Sequence, residues 1–177
     1  MKRVYPVEER CINCHLCEVA CIVSHSTTKT ALGAFQVEKL SFNSVRPGAV
    51  DPAVALEEGN PYPLNRCRVD VQGSVFLSTS CRHCREPDCV RACKNGSLYV
   101  DEAGRVLLRE DHCVGCWMCL MACRYGAIER SPYVRNVQGK ENNGINQHCD
   151  LCRERSCPAC VSICPTQALV YEEREAP

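Results

Sequence analysis

Four cysteines fall inside eleven residues, at Cys113, Cys116, Cys119 and Cys123, separated by two, two and three residues. The run returns three more times, as Cys11-x2-Cys14-x2-Cys17-x3-Cys21, Cys81-x2-Cys84-x4-Cys89-x3-Cys93 and Cys149-x2-Cys152-x7-Cys160-x3-Cys164. The other segments read as support for these four motifs, numbered I (Cys11), II (Cys81), III (Cys113) and IV (Cys149) in chain order.

This spacing suits cubane iron–sulfur clusters. Each of the four iron corners takes one soft thiolate, and two-residue gaps let a tight loop wrap three corners while backbone N–H groups turn toward the sulfurs. The three-residue gap then sets the last two thiolates one helical turn apart. Each can meet a different cluster, which makes the helix a strut between two redox centres. Tetrahedral zinc is the competing reading. Structural zinc sites use CxxC pairs parted by a longer spacer, and four thiolates in one short loop and helix fit that pattern poorly.

Cysteine makes up 18 of 177 residues, the density of a disulfide-stapled or metal-loaded chain. Lys2 and Arg3 are followed by no apolar stretch and no small-residue cleavage site, and no apolar run approaches the ~20 residues of a membrane span. The expectation is a soluble cytoplasmic protein in a reducing compartment, where clustered cysteines are ligands rather than disulfides. Basic and acidic residues balance at 21 each, which gives no argument for nucleic acid. Four oxidised clusters with their thiolates would add a charge of about −8.

Along the chain, Val4 to Val7 reads as a short strand, and a helix is expected from near His15 towards His25, ended by the polar stretch Ser24–Thr30. Phe35–Leu40 reads as a strand and Ala53–Glu58 as a helical turn within a proline-rich excursion, either an insertion covering a cluster face or a docking arm for a partner. Arg66–Val71 and Ser74–Thr79 read as a hairpin turning at Gln72-Gly73. Asp88 is the expected N-cap of a short helix ending before Gly96. Leu98–Val100 and Arg105–Leu108 form a second hairpin across Asp101–Gly104. Gly126 reads as a helix C′ residue, Ala127–Glu129 as a strand, and Ser131–Gln147 as a loop with one strand around Tyr133–Val137. A turn and last strand follow Thr166.

With these motifs in view, the chain resembles the four-cluster ferredoxin subunits of bacterial and archaeal redox complexes, a family that includes the iron–sulfur subunits of dimethyl sulfoxide reductase and formate dehydrogenase. The resemblance rests on Phe76 to Cys89, Ala122 to Ile128, Cys149-Asp-Leu-Cys152, and Cys164-Pro165, where proline directly follows the fourth cysteine. Ile22, Lys94 and Arg124 hold that position in the other motifs. The opening residues and motif I are most similar to the ferredoxin associated with carbon monoxide dehydrogenase, and to small subunits of tungsten aldehyde oxidoreductases.

The resemblance implies an α+β fold of two nested bacterial dicluster-ferredoxin modules, with short hairpins and helices around four [4Fe–4S] clusters. Module A takes residues 1–26 and 131–177 (motifs I and IV), an irregular insertion takes 27–66, and module B takes 67–130 (motifs II and III). It implies ligand sets of Cys81, Cys84, Cys89 and Cys123; Cys113, Cys116, Cys119 and Cys93; Cys11, Cys14, Cys17 and Cys164; and Cys149, Cys152, Cys160 and Cys21.

Two cysteines are surplus to four motifs of four. Cys160 gives the three-residue gap to Cys164 that the other motifs share, whereas Cys157 would leave a six-residue gap broken by Pro158. Cys67 and Cys157 are therefore expected to be free thiols. His15, His83, His112 and His148 adjoin ligand cysteines, and with no ligand vacancy they read as outer donors or surface groups. His25 adjoins none. Trp117 reads as packing over a cluster. Glu8, Glu9 and Glu18 around motif I, and Arg82, Arg85, Arg91 and Lys94 in motif II, read as solvated faces, with docking of the basic end on an acidic patch of a partner as the sharper alternative.

No nucleophile–base pair, P-loop or dinucleotide fingerprint occurs, so no catalytic residue is expected. The expected function is electron transfer between a catalytic oxidoreductase subunit and a redox acceptor. Carbon monoxide dehydrogenase is the first partner expected, then aldehyde oxidoreductase, hydrogenase or formate dehydrogenase. An iron–sulfur sensor or scaffold is the reading from another class.

Overall fold

The computed structural model describes residues 1–37, 66–130, 136–137, 140–141 and 146–174. The expected helical turn at 53–58 and the first part of the expected strand at 133–137 lie outside them, as does most of the 27–66 insertion.

The chain opens with strand β1 (Arg3–Pro6) and a 3₁₀ turn, Glu8–Arg10, that leads into motif I. Helix α1 follows over Leu16–His25, as expected from sequence. It buries Cys17, Glu18, Cys21 and Ile22, a stripe at helical spacing that faces the interior. Ser26 ends it: its N–H donates to the Ile22 carbonyl at 2.9 Å and its hydroxyl to the Val23 carbonyl at 2.7 Å.

The first three residues of the strand expected over Phe35–Leu40 lie instead in a π-helical turn, Gly33–Val37, and its remainder lies outside the described residues. The Thr30 hydroxyl and carbonyl accept the Gly33 and Ala34 N–H groups at 3.1 and 2.8 Å, starting a helical turn before an extended chain can form. Ala34 is then buried beside Ile22.

Strands β2 (Cys67–Gln72) and β3 (Val75–Ser80) form the first hairpin, with Gln72 opposite Val75. The turn is Gly73-Ser74, one residue later than expected, because Gly73 supplies the left-handed conformation (φ +61) at the first turn position. The second expected hairpin joins β4 (Leu98–Val100) to β5 (Val106–Leu108), which starts one residue after the expected Arg105, with Val100 opposite Val106.

Three short helices carry the other motifs: α2 (Asp88–Ala92), α3 (Met118–Ala122) and α4 (Ala159–Ile163). Each has its motif's third cysteine at its second position and the fourth as its C-cap. Asp88 is the first helical residue of α2 rather than its N-cap. Pro87 takes the cap position in an extended conformation, and the Asp88 carboxylate pairs with Arg91 and Arg124. Gly126 lies beyond the C′ position of α3. It closes a turn by donating its N–H to the Cys123 carbonyl at 3.1 Å, with φ +58. Gly96 and Gln167 close the same turn after Cys93 and Cys164.

After motif III come β6 (Glu129–Arg130), β7 (Asn136–Val137), β8 (Lys140–Glu141) and β9 (Asn146–Gln147). Strand β6 pairs with β9, and β7 with β8. The last strand, β10 (Leu169–Glu172), returns to pair antiparallel with β1. Among the described residues these pairings make five two-stranded sheets. Helix α1 lies against α4, α2 against α3, and the β2–β3 hairpin against both α1 and β1.

The core sits where these pairs meet. Eight of the fifteen buried residues of its main cluster are cysteines, packed with Val4, Val69, Leu98, Val106, Ile128, Leu151 and Leu169. Among the described residues no helix is long and apolar enough to cross a membrane.

Candidate metal centres

Each motif turns on the residue before its second cysteine. Asn13, His83, Gly115 and Leu151 all adopt left-handed conformations, with φ of 57, 45, 67 and 60. That sense of turn is steric strain for a residue with a side chain. It repeats in all four loops because it swings the backbone inward. In motifs II and IV it aims the His83 and Leu151 N–H groups at the sulfurs of Cys81 and Cys149, each at 3.4 Å.

The fourth cysteines receive the same treatment. Leu98, Ala127 and Ala168 donate backbone N–H groups to Cys93, Cys123 and Cys164 at 3.4, 3.4 and 3.2 Å. Cys21 lies inside the longer α1, and its donor arrives from a distant segment, as the Arg66 N–H at 3.2 Å. Such bonds stabilise negative charge on sulfur.

The sixteen cysteines expected as ligands are gathered into four groups. Cys11, Cys14, Cys17 and Cys164 line one cavity, with Ile12, Val69 and Phe76. Cys93, Cys113, Cys116 and Cys119 line a second, beside Trp117. In the third, burial first, then neighbouring Cys89, Cys84 and Cys123, together push the Cys81 thiol up to about 12. Burial and Cys123 likewise raise Cys89 to about 11. In the fourth, burial and then Cys160 and Cys21 drive Cys149 well up, and burial, Cys21 and Cys160 raise Cys152. Cys81 lies within electrostatic reach of Cys149, so the third and fourth groups feel each other's charge. Cys14 and Cys116, in the first and second groups, are exposed.

The donor set fits iron–sulfur clusters. At Cys81, Cys89, Cys149 and Cys152 burial resists ionisation, which a cationic metal core would reverse, since a coordinated thiol is deprotonated outright. Two buried donors beside these cysteines, His83 Nε2 and Trp117 Nε1, have no hydrogen-bond partner among the described residues. Cluster sulfur is an acceptor of the right kind for both. A bound cluster would supply one-electron redox chemistry, and the chain's own part is to ligate, donate hydrogen bonds and exclude water.

Among the histidines, His83 and His148 are buried, and burial lowers them to about 3 and 4. His112 is a surface group beside Asp111. His15 pairs with Glu18, Nδ1 to carboxylate, at 2.9 Å. Glu18 does not belong to a solvated face. It is fully buried, and its carboxylate accepts the Val69 N–H at 2.6 Å, tying α1 to β2. The basic side of motif II is partly occupied internally: Arg91 pairs with Asp88, and the Arg82 guanidinium lies over the Tyr125 ring at 5.8 Å.

His25 and Cys67 gain neighbours that sequence reasoning missed. His25 donates from Nδ1 to the Cys21 carbonyl at 2.8 Å and from Nε2 to Asp150 at 3.0 Å, and Nδ1 lies 3.7 Å from the Cys21 sulfur. Arg66 joins Asp150 at 2.6 Å. Burial opposes charge on His25, but Asp150 and Cys21 outweigh it and raise His25 to about 9. The i,i+4 spacing from Cys21 was the available signal. Cys67 is buried against Cys160, Cys17 and Cys21. Cys157 is half-buried with its thiol 3.8 Å from the Pro158 carbonyl, and all eighteen cysteines are free of disulfides.

Residues 72–174 match the family described as 4Fe-4S dicluster domain, and residues 8–22 match a 4Fe-4S binding domain. The chain is 32% identical over 180 residues to an iron-sulfur protein of Rhodospirillum rubrum, covering 98% of this chain and 83% of that one. It is 32% identical to the electron transport protein HydN of Escherichia coli, covering 93% and 84%. It is 30% identical over 169 residues to the thiosulfate reductase electron transfer subunit PhsB of Salmonella typhi, covering 93% and 71%. The chain belongs to the 4Fe-4S dicluster-domain family of iron–sulfur proteins.

Proposed function

We propose that the protein carries electrons through four [4Fe–4S] clusters between a catalytic oxidoreductase subunit and a redox acceptor, without a substrate site of its own. The observation that carries this reading is the arrangement of the cysteine groups. The group of Cys149 is buried throughout and within electrostatic reach of Cys81, whose own group is half-buried at Cys84 and Cys123, while those of Cys11 and Cys113 reach the surface at Cys14 and Cys116. Four clusters held this way form a line, with exposed centres at its ends and shielded ones between. Apolar Ile12 and Leu16 stand exposed at one end, Val114 and Met118 at the other, where partners would dock.

The ligand sets are those implied by the family resemblance, one per group. Motifs I and IV make module A (1–26 with 131–177) and motifs II and III make module B (67–130). The β1–β10 pairing and the α1–α4 and α2–α3 contacts support this division. The hairpin Cys67–Ser80 leans on α1 and so joins the modules, and residues 27–66 are an insertion between them. Cysteine-ligated clusters at this density belong in a reducing cytoplasm. Carbon monoxide dehydrogenase is the first partner, on the resemblance of motif I; a tungsten aldehyde oxidoreductase, hydrogenase or formate dehydrogenase follows.

Anaerobically prepared protein should hold about 16 iron and about 16 acid-labile sulfide per chain. Its charge-transfer absorption should bleach with dithionite and return on reoxidation. Stoichiometric zinc without sulfide would end the reading, and a single labile, oxygen-sensed cluster would favour a sensor instead. Copurification of the native protein identifies the partner.

A further inference from the structure

Cys67 belongs to none of the four cysteine groups, yet it is only 4% exposed. It is the first residue of β2, its sulfur lies 3.5 Å from the Cys17 carbonyl oxygen, and it packs in one buried cluster with Cys160, Cys17 and Cys21. Those three thiols come from two groups: Cys17 from the set with Cys11, and Cys21 and Cys160 from the set with Cys149. Cys67 therefore stands between the two clusters proposed for module A.

The placement is held from both sides. The preceding residue, Arg66, donates its N–H to Cys21 at 3.2 Å, and two residues on, the Val69 N–H is fixed by buried Glu18 at 2.6 Å. Across the hairpin, the Ser78 hydroxyl reaches toward the Cys17 sulfur at 4.0 Å. The start of β2 thus presents a row of donors to the ligand sulfurs of α1.

We propose that Cys67 is a non-ligating thiol that donates its S–H to ligand sulfurs of both clusters in module A and holds their reduction potentials up. The proposal rests on the ligand sets given above. A thiol is a weak donor to a carbonyl, but charged acceptors form the stronger bonds, so ligand thiolates draw the proton from the Cys17 carbonyl. A donor on ligand sulfur favours the more negative, reduced cluster and so raises its potential. Its place between two centres lets one side chain act on both.

The test uses the anaerobic holoprotein with Cys67→Ala, Cys67→Val and Cys67→Ser, measuring iron, sulfide and potentials by EPR-monitored redox titration. Ala and Val both remove the donor, and Val keeps the volume if Ala does not fold. Iron and sulfide should match the parent protein in all three. Two of the four centres should titrate lower in Ala and Val, with about a tenfold fall in the reduced-to-oxidised ratio at fixed potential, or about 59 mV for a one-electron couple. Ser should restore most of the shift. Full iron with unmoved potentials in Ala or Val overturns the proposal, as does a Ser variant shifted as far as Val, which would make the role packing. Loss of about four iron in the variants would instead make Cys67 a ligand and break the ligand sets themselves.

Discussion

His83 and His148 are joined through one residue: Val106 donates its N–H to His83 Nδ1 at 3.0 Å, and its carbonyl accepts the His148 Nε2–H at 3.1 Å. One histidine lies inside motif II and the other directly precedes motif IV, so a single residue of β5 ties together two cluster-binding loops distant in sequence. Both imidazoles are neutral in this arrangement, His83 accepting at Nδ1 and carrying its proton on Nε2.

That neutrality sets a pH dependence. Burial holds His83 at about 3 and His148 at about 4, against about 6.5 for an unfolded histidine. Below about 6.5 the unfolded chain therefore binds protons that the folded chain does not, and stability falls by about 1.4 kcal/mol per pH unit for each. His25, raised to about 9, works in the opposite sense: its contribution is full below about 6.5 and is lost as pH rises through about 9. It offsets about one histidine's share, leaving a net loss of about 1.4 kcal/mol from pH 7.5 to 5.5. Anaerobic denaturant unfolding at both values, with cluster absorbance followed to separate iron loss, should show this fall and a flatter profile for His148→Gln. A midpoint that rises on acidification contradicts it.

Asp150 holds Arg66 and His25 together beside the Cys21 and Cys152 group, and its carboxylate also accepts the Cys152 N–H at 3.0 Å. Burial opposes its charge, but the His25 bond and the Arg66 charge keep its carboxyl well below the usual range. Removing it leaves two cations without their anion. Asp150→Ala should cost about 2–3 kcal/mol, and Asp150→Asn, which keeps the acceptor for Cys152, should cost less. Equilibrium unfolding measures both, and equal, negligible losses would count against the network.

Local pattern made much of this legible. The helix from Leu16, both hairpins and the short helices at Asp88 and Met118 follow from spacing and turn residues within about ten positions of each other. Three of the failures share a different cause. Glu18 reads as a surface acid until Val69, 51 residues on, supplies a buried N–H for it. Cys67 reads as a spare thiol until β2 docks on α1, and His25 reads as isolated until Asp150 arrives from 125 residues away. Long-range partners decide these three residues, and motif spacing is silent about them. Phe35 fails for a local reason: it carries strand propensity, but Thr30, five residues upstream, starts a helical turn.

The core predicts what metal removal does. Eight of its fifteen main buried residues are cysteines, and α2, α3 and α4 are five residues each, far below the length at which isolated helices persist. Without clusters, little apolar surface remains to hold them. Chelation under oxidation should collapse the circular dichroism signal along with the cluster absorption. An apoprotein that keeps its secondary structure and melts sharply would show that side-chain packing alone sustains the fold.

The choice between Cys160 and Cys157 as third ligand of motif IV can be decided by substitution. Cys160 occupies the second position of α4, as Cys89 does in α2 and Cys119 in α3, and Cys164 caps the helix one turn later. Its thiol is buried and lies in electrostatic reach of Cys149 and Cys152. Cys157 precedes the Pro158 N-cap, and its thiol lies at the Pro158 carbonyl. A ligand there would also need the chain to bend back through a proline whose φ is fixed. Cys157→Ser should therefore keep full iron and an unchanged reduced spectrum. Cys160→Ser should lose about four iron, or convert one centre to a three-iron form with its own EPR signal. Full iron in the Cys160 variant together with loss in the Cys157 variant would reverse the assignment and move the ligand loop out of α4.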